Sequence, residues 1–175
     1  MSLPRGKNLK IPAANIKVLR EQSGAGVMDC RNALIAAEGD IEKATQILKE
    51  RSIYQAEKKV NRTTMEGLVE AYIHIAGRIG AMVELNCETD FVARTAEFKE
   101  LAHNIAMQVA AMSPLCISKE ELPQDAEENP EVACLLLQAY IKDPTKTIQD
   151  VVNEVIAKVG ENIRVKKFAR FELGC

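Results

Sequence analysis

The sequence predicts an α+β protein: a bundle of three helices, then an antiparallel three-stranded sheet with helices packed on one face. Three observations carry this. Residues 12–54 show only helical spacing of apolar side chains. Residues 68–87 and 163–173 switch to alternation with a period of two. Most of the stretch between them returns to helical spacing, so strands, helices and a returning strand build one layered core. The chain divides accordingly into a helical module over 1–54, a linker over 55–64 and an α+β core over 65–175.

The first helix runs from Pro12 to Glu21, with Pro pre-setting φ near its start and Ile16 and Leu19 on one face. Ser23-Gly24-Ala25-Gly26 follows as a tight turn holding an N-cap candidate. The second helix, Met28 to Glu38, spaces Cys30, Leu34 and Ala37 helically and has Gly39 as its C-cap. Asp40 then caps a third helix bearing Ile41, Ala44, Ile47 and Leu48. A bundle this small has little core of its own and reads as a docking module. Gln55 to Thr64, QAEKKVNRTT, is polar and basic and reads as a solvated linker helix.

In the core, Val69, Ala71, Ile73 and Ile75 share one side of a first strand, and Ile79, Ala81, Val83, Leu85 and Cys87 one side of a second. Ala76-Gly77-Arg78 makes the hairpin turn, with Gly77 free to take positive φ. In the last strand Ile163, Val165, Ala169, Phe171 and Leu173 share a face interrupted only by Lys167. On this parity the opposite face mixes polar groups with Leu68, Tyr72, Met82 and Phe168, enough apolar surface on one small face to suggest a subunit contact. Between hairpin and last strand, Thr95 caps a helix to Met112 with the stripe Phe98, Leu101, Ile105 and Val109, ended by Ser113-Pro114. An acidic loop over 122–130 precedes two helices, 131–141 and 147–159, parted by Asp143-Pro144 and closed by Gly160.

The formal net charge of −2 argues against strong sequence-independent binding to nucleic acid or an acidic membrane. That weighs against an RNA-binding role for Lys58, Lys59, Arg62, Lys166 and Lys167. No apolar run approaches the roughly 20 residues needed to span a bilayer. MSLPRGKNLKIP has no apolar segment behind its basic residues, so a cytoplasmic address is expected. Five cysteines, Cys30, Cys87, Cys116, Cys134 and Cys175, form no C-x-x-C pair and read as free thiols, buried except at the chain end. There is no phosphate-binding G-x-x-x-x-G-K-[ST] and no G-x-G-x-x-G. By parity His74 and Cys87 fall on opposite sheet faces, so they make no nucleophile pair. The expectation is a protein without catalytic residues, metal, cofactor or bound nucleotide.

One segment stands apart. Glu88-Thr89-Asp90-Phe91-Val92-Ala93-Arg94 leaves a strand at Cys87 and precedes the helix at Thr95. Two readings are open for Phe91. It folds back into the core, or it is an aromatic wedge beside an acid, presented from a rigid strand end as interface hot spots are.

Leu19 to Cys30 (LREQSGAGVMDC) and Glu84 to Arg94 (ELNCETDFVAR) resemble the two signatures of the elongation factor Ts family, and Phe168 to Gly174 (FARFELG) resembles its closing strand. The likeness covers about Ile11 to Gly174, in order and spacing. A generic adaptor with such a bundle would have no need of Thr89-Asp90-Phe91. The resemblance implies exchange of guanine nucleotide on a GTPase, elongation factor Tu. It implies an N-terminal module of the ubiquitin-associated type that docks through Arg20, Val27 and Met28, with Val27 standing where Met is common. It implies a wedge of Asp90 and Phe91 acting near the partner's Mg²⁺ and phosphate site. The short core implies pairing of two copies, with Tyr72, Met82 and Phe168 as the expected dimer face.

Overall fold

The computed structural model describes residues 11–123 and 128–174; the basic N-terminal stretch, the middle of the acidic loop and Cys175 lie outside the described residues. Contacts divide the chain into two units that meet in sequence at Gln55 and Ala56.

In the first unit, helices α1 (Ala13–Ser23), α2 (Val27–Ala36) and α3 (Ile41–Glu57) bury Leu19, Cys30, Leu34, Ala44 and Leu48 together. α1 stops because Gly24 takes φ 66° and its N–H returns to the Arg20 carbonyl at 2.9 Å. A residue with a Cβ would lose roughly 1 kcal/mol there. α2 ends at Ala36, earlier than expected, and Gly39 at φ 92° sends its N–H back to the Leu34 carbonyl at 2.8 Å. Asp40 Oδ1 accepts from the Lys43 N–H at 3.0 Å and caps α3. In the linker stretch α3 continues only to Glu57, and the stretch is not wholly solvated: Lys59 is 7% exposed, its Nζ donating to the Ile156 carbonyl at 3.4 Å. Burial lowers the Lys59 pKa, with the Arg62 charge adding to the effect.

The second unit is a mixed helix and antiparallel-sheet layer. Strands β1 (Glu66–Ile73), β2 (Ile79–Cys87) and β5 (Ile163–Glu172) form one sheet in the order β1-β2-β5. Helix α4 (Asp90–Ala93) is a single turn, and α5 (Ala96–Met112) lays Phe98, Leu101, Ile105 and Val109 into the core with Val83 and Leu85. Then come α6 (Pro130–Ala133), the hairpin of β3 (Ala139–Tyr140) with β4 (Asp143–Thr147), and α7 (Ile148–Val159). Thr147 and Asp150 form a reciprocal capping box for α7, and Gly160 closes it at φ 83°.

The helix expected over 131–141 is not formed. Its backbone bonds elsewhere: the Leu135 and Leu136 N–H groups donate to the Cys116 and Ile117 carbonyls at 2.9 and 3.0 Å. The side chain of Gln108 receives the Ile141 N–H at 3.0 Å and donates to the Ala139 carbonyl at 3.1 Å. Tertiary hydrogen bonds have displaced the i to i−4 ladder, and a short α6, a turn of 3₁₀ helix and β3 take its place.

The sheet faces also correct the expected parity. Leu68 pairs with Leu85, Glu70 with Val83 and Tyr72 with Ala81, so Leu68, Glu70 and Tyr72 face α5, and Val69, Ala71 and Ile73 face outward. Glu70 bonds to His103 of α5 at 3.1 Å, and the ring of Tyr72 meets His103 edge-on. In β5 a bulge at Lys166, between the Leu85–Val165 and Glu84–Lys167 pairs, inverts the pattern partway along. Ile163 and Val165 point inward, Phe168 also turns inward, and Phe171 is left 70% exposed. Tyr72, Met82 and Phe168 therefore do not share a face: Met82 is outward, whereas Tyr72 and Phe168 pack against the core. His74 continues the inward parity of Cys87 but lies at the opposite end of the hairpin, so distance rather than face keeps that pair apart.

Candidate functional site

The Glu88–Arg94 segment becomes a platform because two threonines cap two helices six residues apart. Thr89 Oγ1 accepts from the Val92 N–H at 3.4 Å and starts α4; Thr95 Oγ1 accepts from the Phe98 N–H at 3.3 Å and starts α5. Thr95 Oγ1 also donates to the Val92 carbonyl at 2.7 Å, tying the end of one turn to the start of the next. Val92 and Ala93 are buried, which fixes the inward side of α4. Asp90 and Phe91 are forced onto its outward side, and Phe91 is 77% exposed. This resolves the two readings of Phe91: the ring is not in the core. Asp90 Oδ2 accepts from Arg94 Nη2 at 2.7 Å in an exposed i, i+4 pair along the same outward turn.

Behind the platform, Cys87 Sγ donates to the Thr89 carbonyl at 3.1 Å. Burial, with the Glu161 carboxylate adding to it, pushes the Cys87 thiol up to about 11, so it is a packing group and not a thiolate nucleophile at neutral pH. Glu161, which no sequence motif marks, reaches across from the α7–β5 connection to the backbone of Glu88 and Thr89. The two partners lie 72 residues apart, so no local pattern marks the pairing.

In the first unit, Arg20, Val27 and Met28 are all exposed around the Ser23–Gly26 turn. Ser23 donates back to the Leu19 carbonyl at 2.6 Å, and Gly26 takes the N-cap position of α2 in extended backbone. Val27 and Met28 open α2 and are both exposed; Met28 lies on the side opposite Cys30, whereas Val27 begins the stripe that Cys30 and Leu34 continue into the core. The arrangement offers apolar and cationic surface side by side: Val27 and Met28 with Arg20. Among the described residues no group of His, Cys, Asp and Glu side chains could hold a metal ion, and no helix is long and apolar enough to cross a membrane.

Comparison with known proteins decides the family. A family model described as Elongation factor TS matches residues 36–132. Elongation factor Ts of Caldanaerobacter subterraneus subsp. tengcongensis is 50% identical over 194 aligned positions, covering 94% of this chain and 97% of that protein. The chain belongs to the elongation factor Ts family. Elongation factor Ts of Thermotoga maritima is likewise 50% identical, over 187 positions covering 91% of this chain and 94% of its own. That of Desulfosudis oleivorans is 46% identical over 194 positions. Each alignment is longer than the 175 residues of this chain, so these elongation factor Ts relatives carry residues opposite gaps in it. Membership gives the chain the role of a nucleotide exchange factor in translation elongation.

Proposed function

We propose that the chain speeds GDP release from elongation factor Tu by inserting Asp90 and Phe91 beside the GTPase's Mg²⁺ and phosphate site. The observation that carries this is the exposed Phe91 ring on a doubly capped turn with buried neighbours. A rigid exposed ring of this kind gains roughly 2–3 kcal/mol when a partner buries it. If that burial is available only in the open, metal-poor state of the GTPase, the wedge favours that state by the same differential affinity. GDP and the exchange factor then weaken each other's binding reciprocally. The chain itself makes no covalent bond, holds no nucleotide or cofactor, and is not an enzyme in its own right.

The helical module, of the ubiquitin-associated type, supplies a second hold on the GTPase through Arg20, Val27 and Met28. That contact adds affinity, and the wedge converts binding into release. Two copies pair through the outward sheet face, where Ala71, Ile73, Met82 and Phe171 form an apolar half beside a polar half pinned by Lys167 and Glu84. Such a face is self-complementary about a two-fold axis and would make a sheet-on-sheet contact.

Release of fluorescently labelled GDP from elongation factor Tu tests the exchange reading. The chain should accelerate release, and Phe91→Ala should remove most of the acceleration; equal rates would discard the wedge. Light scattering under reducing conditions tests pairing. Twice the chain mass is expected for the parent and the single-chain mass for Phe171→Asp, whereas a parent at single-chain mass would reject the dimer.

A further inference from the structure

We infer that Glu161 is a positioning residue for the exchange wedge, acting through Thr89 to aim Phe91; the functional half of this rests on the wedge reading above. Glu161 stands in the short connection between Gly160, where α7 closes, and Ile163, where β5 begins. Its carboxylate spans two separate loops. Oε2 accepts from the backbone N–H groups of Glu88 at 3.1 Å and Thr89 at 3.0 Å, while Oε1 accepts from the Thr89 hydroxyl at 2.6 Å. Glu88 returns the link: its Oε1 accepts from the Asn162 N–H at 2.6 Å and from Arg62 Nη1 at 3.4 Å. Asn162 is fixed in turn, its Nδ2 donating to the Val60 and Arg62 carbonyls at 3.3 and 2.9 Å.

The chemistry of the threonine hydroxyl makes Glu161 more than a loop staple. A hydroxyl has one hydrogen and two acceptor lone pairs. By taking that hydrogen, Glu161 fixes the orientation in which Thr89 Oγ1 can accept from the Val92 N–H, and that bond starts α4. The direction of Phe91, two residues past Thr89, follows from the start of α4. Bonds to a charged acceptor are stronger than neutral ones, so this brace is stiffer than an ordinary threonine cap. Without Glu161 the turn keeps its buried Val92 and Ala93 but loses the acceptor that holds its entry.

A double-mutant cycle in the full chain tests this, read by labelled-GDP release at limiting and saturating concentrations. Glu161→Ala should lower the saturated rate about tenfold and leave the half-saturating concentration within about twofold, because the helical module still binds. Glu161→Gln, which keeps one acceptor oxygen, should fall between parent and Ala. In a Phe91→Ala background, Glu161→Ala should cost nothing further. Amide hydrogen exchange should quicken at Glu88, Thr89 and Val92 in Glu161→Ala, with the β1–β2 ladder as protected as in the parent. Should that ladder lose protection, Glu161→Gln takes its place in the cycle on the same criteria. Losses that multiply in the double variant, or a parent rate for Glu161→Ala beside a crippled Phe91→Ala, would overturn the positioning role. Phe91→Ala at the parent rate would sink the wedge itself. The amide exchange, which needs no GTPase, then decides the brace alone: unchanged exchange at Glu88 and Thr89 overturns it.

Discussion

The turn at Ser23–Gly26 and the turn at Glu88–Thr95 do the same thing by different means. Each puts apolar side chains outward in the first turn of a helix, Val27 and Met28 on α2 and Phe91 on α4. The first is shaped by its own backbone and by bonds to near neighbours: Gly24 goes left-handed, Gly26 stays extended, Ser23 bonds to Leu19 and Ala25, and the module's small core sits beneath. The second has ordinary φ values at Thr89 and Thr95 and is held by side chains, including one from 72 residues away. A turn made of glycines can present a surface wherever its few residues go. A turn made of long-range hydrogen bonds presents its surface only when the whole layer of β2, α7 and β5 has folded. The stiffer of the two carries the residue proposed to do mechanical work on a partner.

Four measurements would break or sharpen that contrast. Removing the wedge should have the largest effect: Phe91→Ala should slow saturated GDP release roughly thirtyfold, the equivalent of about 2 kcal/mol, with half-saturation little changed. Met28→Ala should do the reverse, raising the half-saturating concentration about fivefold to tenfold for a loss of roughly 1 kcal/mol, with the saturated rate kept. If both variants change the same parameter, the division between holding and prying is wrong. Gly24→Ala should destabilise the first unit by about 1 kcal/mol because a Cβ is forced into left-handed backbone. Faster amide exchange at Leu34 and Ala44, with the core sheet unaffected, would register it. Arg94→Ala should be the smallest: its pair with Asp90 is exposed, so stability should move by less than about 0.5 kcal/mol, as read by a denaturant midpoint.

The parts of the fold written in local pattern were legible in the sequence. The α5 stripe, the Thr95 cap, the start of α7 after Thr147 and the three strands of the main sheet follow from spacing and cap chemistry. The exposed Asp90–Phe91 pair was one of two open readings, because chain position alone cannot say which side of a single helical turn meets the core. What escaped was set by partners distant in sequence. Gln108 and Cys116 redirect the backbone of 135–141. The face of β1 depends on its pairing with β2, since either parity of Leu68 to Ile73 carries apolar groups. It was the mixed parity, Glu70 and Tyr72 included, that turned to meet His103. Glu161 carries no local signal because its partners, Glu88 and Thr89, are 73 and 72 residues away.

The bulge at Lys166 gives β5 an unusual tolerance to changes in chain length. Lys166 is the one residue of the strand without a counterpart on β2. Excising it would join Val165 to Lys167 in regular alternation, and every remaining side chain would keep its side of the sheet. Excising Ala169 would turn over all that follows, carrying Phe171 toward α5 and Arg170 into solvent. The strand thus has one place where a codon can be lost without inverting its chemistry, next to a stretch where the same loss would exchange the inner and outer positions of its last residues.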